Sequence, residues 1–103
     1  MEIIIEWSEL SERQLKDIYD YYSIEVSSRT ARKIIGAIID RVSILEANPS
    51  VGPQEELLSD YAEEFRYLIE GTYKIIYWKK ENVITIASVF DCRQNPEKIK
   101  KLS

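Results

Sequence analysis

The chain has 103 residues, room for one domain with a modest core. It is 45% apolar and 31% charged, with three Gly and three Pro, an ordinary globular balance without linker or low-complexity stretches. No histidine and a single cysteine, Cys92, exclude a Ser-His-Asp triad, a His-bound zinc, a CxxC redox pair and an internal disulfide. The three glycines, Gly36, Gly52 and Gly71, are too scattered for a dinucleotide or phosphate loop, so no cofactor is implied. The net charge of −4 is uneven: residues 1–64 carry six basic against fourteen acidic side chains, and residues 65–103 carry eight against four. Such a chain is no general nucleic-acid coat, yet it leaves room for a local basic site in its last third. The lone cysteine fits a reducing cytoplasm, and no apolar run approaches the roughly 18 residues of a membrane span.

Glu2 to Trp7, three consecutive Ile closed by Trp, predicts a strand rather than the basic start of a signal peptide. Ser8 is placed to cap a helix. Leu15, Ile18, Tyr19, Tyr22 and Val26 then recur at helical spacing. Ser27-Ser28 breaks the pattern. A stronger stripe follows in Ala31, Ile34, Ile35, Ile38, Ile39, Val42 and Leu45, with Arg29, Arg32, Lys33, Asp40, Arg41 and Glu46 off it. Asn48-Pro49 ends this second helix, and the short link makes an antiparallel helical hairpin. Pro49 to Pro53 is loop, and the acidic stretch 54–64 predicts a loop with at most one helical turn.

The period then changes to two. Phe65 to Glu70 and Tyr73 to Lys79 predict a hairpin around Gly71, and Val83 to Phe90, apolar on both faces, predicts a central strand. Pro96 can start a short helix through Leu102. The order β-α-α-β-β-β predicts one α+β domain over residues 1–103, with two layers. The helical hairpin covers one face of an antiparallel sheet and leaves the other to water or a partner.

A hairpin turn over Glu70 to Thr72 pairs Ile69 with Tyr73 and Leu68 with Lys74. Phe65, Tyr67, Ile69, Tyr73, Ile75 and Tyr77 then form the core face, and the tyrosine hydroxyls reach water. The open face presents Arg66, Leu68, Lys74, Ile76 and Trp78, with Arg93 arriving from the end of the last strand. A one-residue change in turn length re-sorts the pairing. Arg66, Lys74 and Arg93 suit phosphate or carboxylate binding; alternatively they are solvated or paired with Glu64, Glu70 or Asp91. Leu68, Ile76 and Trp78, bordered by those cations, mark a partner surface for an acidic segment or for a second copy of the chain. Glu55-Glu56 and Glu63-Glu64 read as solvated loop, and Cys92 as a buried or incidental thiol without a base.

Four strings together resemble the RelE/ParE superfamily of toxins from type II toxin–antitoxin systems. They are Trp7-Ser8 leading to Ile18-Tyr19-x-Tyr21-Tyr22, then Leu45-x-x-x-Pro49-x-x-Gly52. Next come Arg66-x-Leu68-x-x-Gly71-x-Tyr73-Lys74-Ile75-Ile76-Tyr77 and Val89-x-x-x-Arg93-x-x-Pro96. The resemblance implies a small cytoplasmic toxin, as in plasmid stabilisation, silenced by a cognate antitoxin. RelE-like members cut mRNA on the ribosome with Lys/Arg and a tyrosine; ParE-like members are described as inhibitors of DNA gyrase. Lys74 matches the basic hairpin position of the nuclease branch, and Arg93 approximates its last-strand arginine. The lysine-rich strand is reduced to Arg66, and Ile99 and Leu102 stand where the C-terminal tyrosine would be. RNA cleavage needs a proton donor as well as cations. The ParE-like branch is therefore the expectation. The alternatives are a RelE-like nuclease using Arg66, Lys74 and Arg93, or a degenerate antitoxin-binding module.

Overall fold

Ser8 ends the first strand and opens the first helix with one side chain. Its Oγ accepts from the Ser11 N–H at 3.0 Å and donates to the Ala87 carbonyl at 3.0 Å. The computed structural model describes residues 2–100, with β1 at Ile4–Trp7, helix α1 at Glu9–Glu25 and helix α2 at Ser28–Ser43. Ser27 caps α2 by accepting from the Thr30 N–H, so two serines set both helix starts. α2 passes into a short 3-10 turn at Ile44–Glu46 before Asn48-Pro49. A second 3-10 turn, Glu56–Leu58, interrupts the acidic stretch. Strands β2 at Arg66–Glu70, β3 at Tyr73–Lys80 and β4 at Val83–Asp91 follow, and the described chain closes with a 3-10 segment at Pro96–Lys100. Leu102, the expected end of that last helix, lies outside the described residues.

The sheet order is β1-β4-β3-β2. The β2-β3-β4 meander is antiparallel as expected. The sheet as a whole is mixed, because β1 joins the edge parallel to β4, pairing Ile4 with Val83 through Trp7 with Ile86. Beyond Trp7, α1 takes over as hydrogen-bond partner of that edge. The Ser8 N–H donates to the Ile86 carbonyl, and the Val89 N–H donates to Gln14 Oε1 at 2.7 Å. A bulge between Ile76 and Tyr77 leaves Ala87 the extra residue on β4.

Ile38, Val42, Leu45, Leu68, Ile75, Tyr77, Ile84, Ile86 and Val89 form the core between helices and sheet. Leu15, Ile18, Tyr22 and Ile34 close it from the helix stripes. Two stripe residues are exposed: Val26, which follows the last turn of α1, and Ile39, 47% exposed on the flank of α2.

The register of the hairpin differs from the expectation by one residue. The turn holds two residues, Gly71 and Thr72, with Gly71 at φ +59° in the left-handed region that glycine adopts without strain. Glu70 therefore pairs with Tyr73, Leu68 with Ile75 and Arg66 with Tyr77. Leu68 moves to the helix side and is buried, while Tyr67 and Ile69 move to the other face beside Ile76 and Lys74. The expected inward sorting of Tyr73, Ile75 and Tyr77 on β3 holds, since all three are buried.

The second sheet face is not open either. Leu58, Phe65, Ile76, Ala87, Phe90 and Ile99 make a second buried cluster, with Leu57, Tyr67 and Trp78 at its margin. The stretch after α2 and the last 3-10 segment supply its cover, tied together by the Tyr61 hydroxyl donating to the Lys100 carbonyl.

Candidate functional site

Each of the three cations expected on one face is neutralised where it stands. Lys74 crosses to Glu55 at 2.8 Å and lies over the Tyr67 ring at 4.3 Å. Glu55 is buried, with its side chain only 4% exposed, so it is a structural counter-ion and not part of a solvated loop. Arg66 points to the opposite side of the hairpin. It donates to the Gly52 carbonyl at 2.7 Å and pairs with Glu64 at 3.0 Å. Arg93 forks onto Asp91 through Nε and Nη2, at 3.0 and 2.7 Å. Of the expected pairings, those with Glu64 and Asp91 are present.

These groups are also separated. Arg66 pairs with Tyr77, three positions along β3 from Lys74, a span of about 10 Å at the usual strand rise. Lys74 belongs to the second sheet face, and Arg93 lies past the end of β4 against α1. Of the expected partner surface, Leu68 and Ile76 are buried and Trp78 is half-buried. The premise of a single amphipathic open face fails because the two-residue turn rotates β2 and the chain's own loops cover the sheet.

Arg66, Gly52 and Tyr77 form one interlocked unit. The Gly52 N–H donates to the buried Tyr77 hydroxyl oxygen at 3.0 Å while its carbonyl accepts from Arg66. A Cβ at Gly52 would press into the Tyr67 carbonyl and lie 2.8 Å from the Tyr77 hydroxyl. Burial raises the Tyr77 pKa against the lowering effects of the Gly52 amide and of Arg66. The Tyr77 hydroxyl thus meets the loop rather than water. Three residues quoted for the resemblance serve to hold residues 50–53 against the hairpin.

A groove of about 480 Å³ lies between α1 and the end of β4. Ile18, Tyr21 and Phe90 give it apolar walls, and Gln14, Asp17, Asp91 and Arg93 give it a polar rim. Tyr21 is exposed and meets Tyr22 edge-to-face at 5.1 Å. Burial, then the Tyr22 hydroxyl, pushes the Tyr73 hydroxyl well above its ordinary range. The Arg93 guanidinium holds the Asp91 carboxyl below its ordinary value of 3.8, and Asp91, then Tyr22, keep Arg93 charged. Sequence periodicity placed Ile18 on a core stripe and Tyr21 off it; only the packing of the 91–94 turn against α1 makes the groove. Cys92 beside it is exposed, its N–H donating to the Thr72 carbonyl. Among the described residues no cluster of carboxylates or thiols could hold a metal ion, and no helix is long and apolar enough to cross a membrane.

The Asp91–Arg93 pair carries a pH signature. A depressed carboxyl pKa adds stability that is present above the unfolded value of 3.8 and lost as pH falls through the folded value. Asp91→Asn is expected to flatten that acidic limb of a Tm-against-pH profile. An unchanged limb would mean that the pair contributes nothing.

The sequence of residues 5–96 matches the family model for the ParE toxin of the type II toxin–antitoxin system parDE. The chain belongs to the ParE toxin family. The chromosomal ParDE toxin–antitoxin system from P. aeruginosa contains a chain of the same fold. The two are 21% identical with a TM-score of 0.73, over 87% of this chain and 96% of that one. The YoeB dimer from Staphylococcus aureus is more distant in shape, at 20% identity and TM-score 0.55 over 86% and 95% of the two chains. No curated protein sequence matches the chain significantly. The structural likenesses speak for the fold. In this ParE-family chain Arg66, Lys74 and Arg93 are each paired with a carboxylate of the chain's own.

Proposed function

We propose that this protein is a ParE-like toxin that acts by binding, with DNA gyrase as target, and that a cognate antitoxin neutralises it in the cytoplasm. The observation that carries this reading is the in-place neutralisation of Arg66, Lys74 and Arg93, at 3.0, 2.8 and 2.7 Å from Glu64, Glu55 and Asp91. A phosphodiester-cleaving site needs cations free to meet a developing charge, plus a proton donor beside them. Here the cations are dispersed and their charge is already spent on internal anions. Family membership supports the toxin role, and the scattered basic residues favour binding over catalysis.

The expected result with purified protein is loss of gyrase supercoiling activity, together with no codon-positioned cuts in cellular mRNA after induction. Cuts that vanish in Lys74→Ala or Arg93→Ala would overturn this in favour of a ribosome-dependent nuclease. Neither effect would leave a degenerate antitoxin-binding module.

We place the antitoxin segment in the groove of about 480 Å³ beside α1, a concave surface that has Arg93 on its rim. Tyr21→Arg is expected to weaken the toxin–antitoxin complex at least about tenfold, by removing an aromatic contact and adding an unmatched charge. Trp78→Glu, on the other face, is expected to leave it intact. Titration of the labelled antitoxin into each variant decides. The reverse pattern returns the site to the sheet face.

A further inference from the structure

The outer side of α2 has no partner within the chain. Ala31, Ile38 and Val42 face the core and are buried. Gly36 lies roughly opposite Ile38 around the helix, on the side shared with Arg29, Arg32, Lys33 and Asp40. Ile39, half exposed, borders that side.

Two features of this face are unexplained by the fold. Glycine is among the poorest residues in a helix interior, and a Cβ at Gly36 would meet nothing within 4 Å, so no internal contact asks for it. The charges are also arranged against the helix dipole, with Arg29, Arg32 and Lys33 near the N-terminus and Asp40 toward the C-terminus. Among the described residues none of these four forms an ion pair.

We propose that the chain self-associates by packing α2 antiparallel against α2 of a second copy, with the two-fold axis at Gly36. Reversing the helix about residue 36 places Arg32, four positions before it, opposite Asp40, four positions after it, and symmetry forms the pair twice. The missing side chain at Gly36 lets the backbones approach at the crossing. Ile39 of each copy then lies against the stem of Lys33 from the other. A foreign acidic helix would satisfy the three cations but set Asp40 against its own charge. The second copy answers both signs, and for that reason it is the occupant.

The test uses the purified chain. Sedimentation equilibrium should give a dimer, and Arg32→Asp or Asp40→Arg alone should raise its dissociation constant at least about tenfold. The two reversals together should restore it. In a Cys92→Ser background, Gly36→Cys should give a disulfide-linked dimer under copper–phenanthroline, because only a residue near the axis meets its own copy. Circular dichroism melts check that each variant folds, and the empty space around residue 36 predicts that Gly36→Cys does. A wild-type chain that stays monomeric at high micromolar concentration overturns the proposal. So does a dimer indifferent to both reversals, or one in which only an antitoxin complex responds to them.

Discussion

Replacing Ile38 by aspartate is expected to unfold the domain. Ile38 is fully buried, at the centre of the cluster that Val42, Leu45, Ile75 and Tyr77 complete. A carboxylate there has no cation to meet and must either stay charged without solvent or take up a proton at neutral pH. Adding the lost apolar contact, the destabilisation is about 5 kcal/mol, comparable to the whole stability of a marginal small domain. Far-UV circular dichroism at 25 °C should show loss of the helical signal. Ile38→Val is the control; it removes one methyl and should cost only about 1 kcal/mol, with a cooperative urea transition retained. A folded, cooperative Ile38→Asp protein would mean that the α2 stripe does not face the sheet.

Gly52→Ala is expected to have the next largest effect, about 3 kcal/mol, at the upper end for one added methyl in a packed site. The added Cβ would collide with the Tyr67 backbone carbonyl, and backbone cannot rotate away as a side chain can. Relief requires residues 50–53 to lift from the hairpin. That motion would break the Gly52 N–H bond to Tyr77 and pull the Gly52 carbonyl from Arg66. Tyr77→Phe removes only the acceptor and should cost about 1 kcal/mol. The diagnostic is urea unfolding of both singles and the double. In the Tyr77→Phe background Gly52→Ala should still be destabilising, since the carbonyl contact remains. A Gly52→Ala midpoint equal to wild type would show that the loop is not clamped.

Gly52 also shows how the resemblance and the structure divide the work. In the string Leu45-x-x-x-Pro49-x-x-Gly52 the glycine is only a loop residue after a helix. Its reason lies twenty-five residues later, in Tyr77, and fourteen later, in Arg66. Arg66 read as a cation on an open face because no local rule connects an arginine to carbonyls across a loop. Lys74 read the same way, because Glu55 sits in an acidic run that resembles a solvated loop. The 3-10 turn at Glu56–Leu58 buries Leu58 and carries Glu55 inward with it.

What the sequence determined by itself are the features that depend on near neighbours. Ser8, expected as a cap, and the break at Ser27-Ser28 mark the helix starts, because capping is satisfied within three residues. The stripe from Ala31 to Leu45 selected the buried side of α2, with Ile39 the exposed exception, because helical period and burial are both local. The two-faced apolar run of β4 marked it as central, and the family strings followed the same element order. The tertiary structure alone decided the hairpin register, the parallel docking of β1, the covering of the second sheet face and the pairing of Lys74 with Glu55. Register turned on one residue of turn length, and in a strand one residue exchanges the faces, so Leu68 went inward and Tyr67 outward. Glu64 and Asp91, two residues from Arg66 and Arg93, were legible as partners, whereas Lys74 turned on Glu55 nineteen residues away and Arg66 on the Gly52 carbonyl fourteen away, positions that depend on packing of the whole chain rather than on spacing.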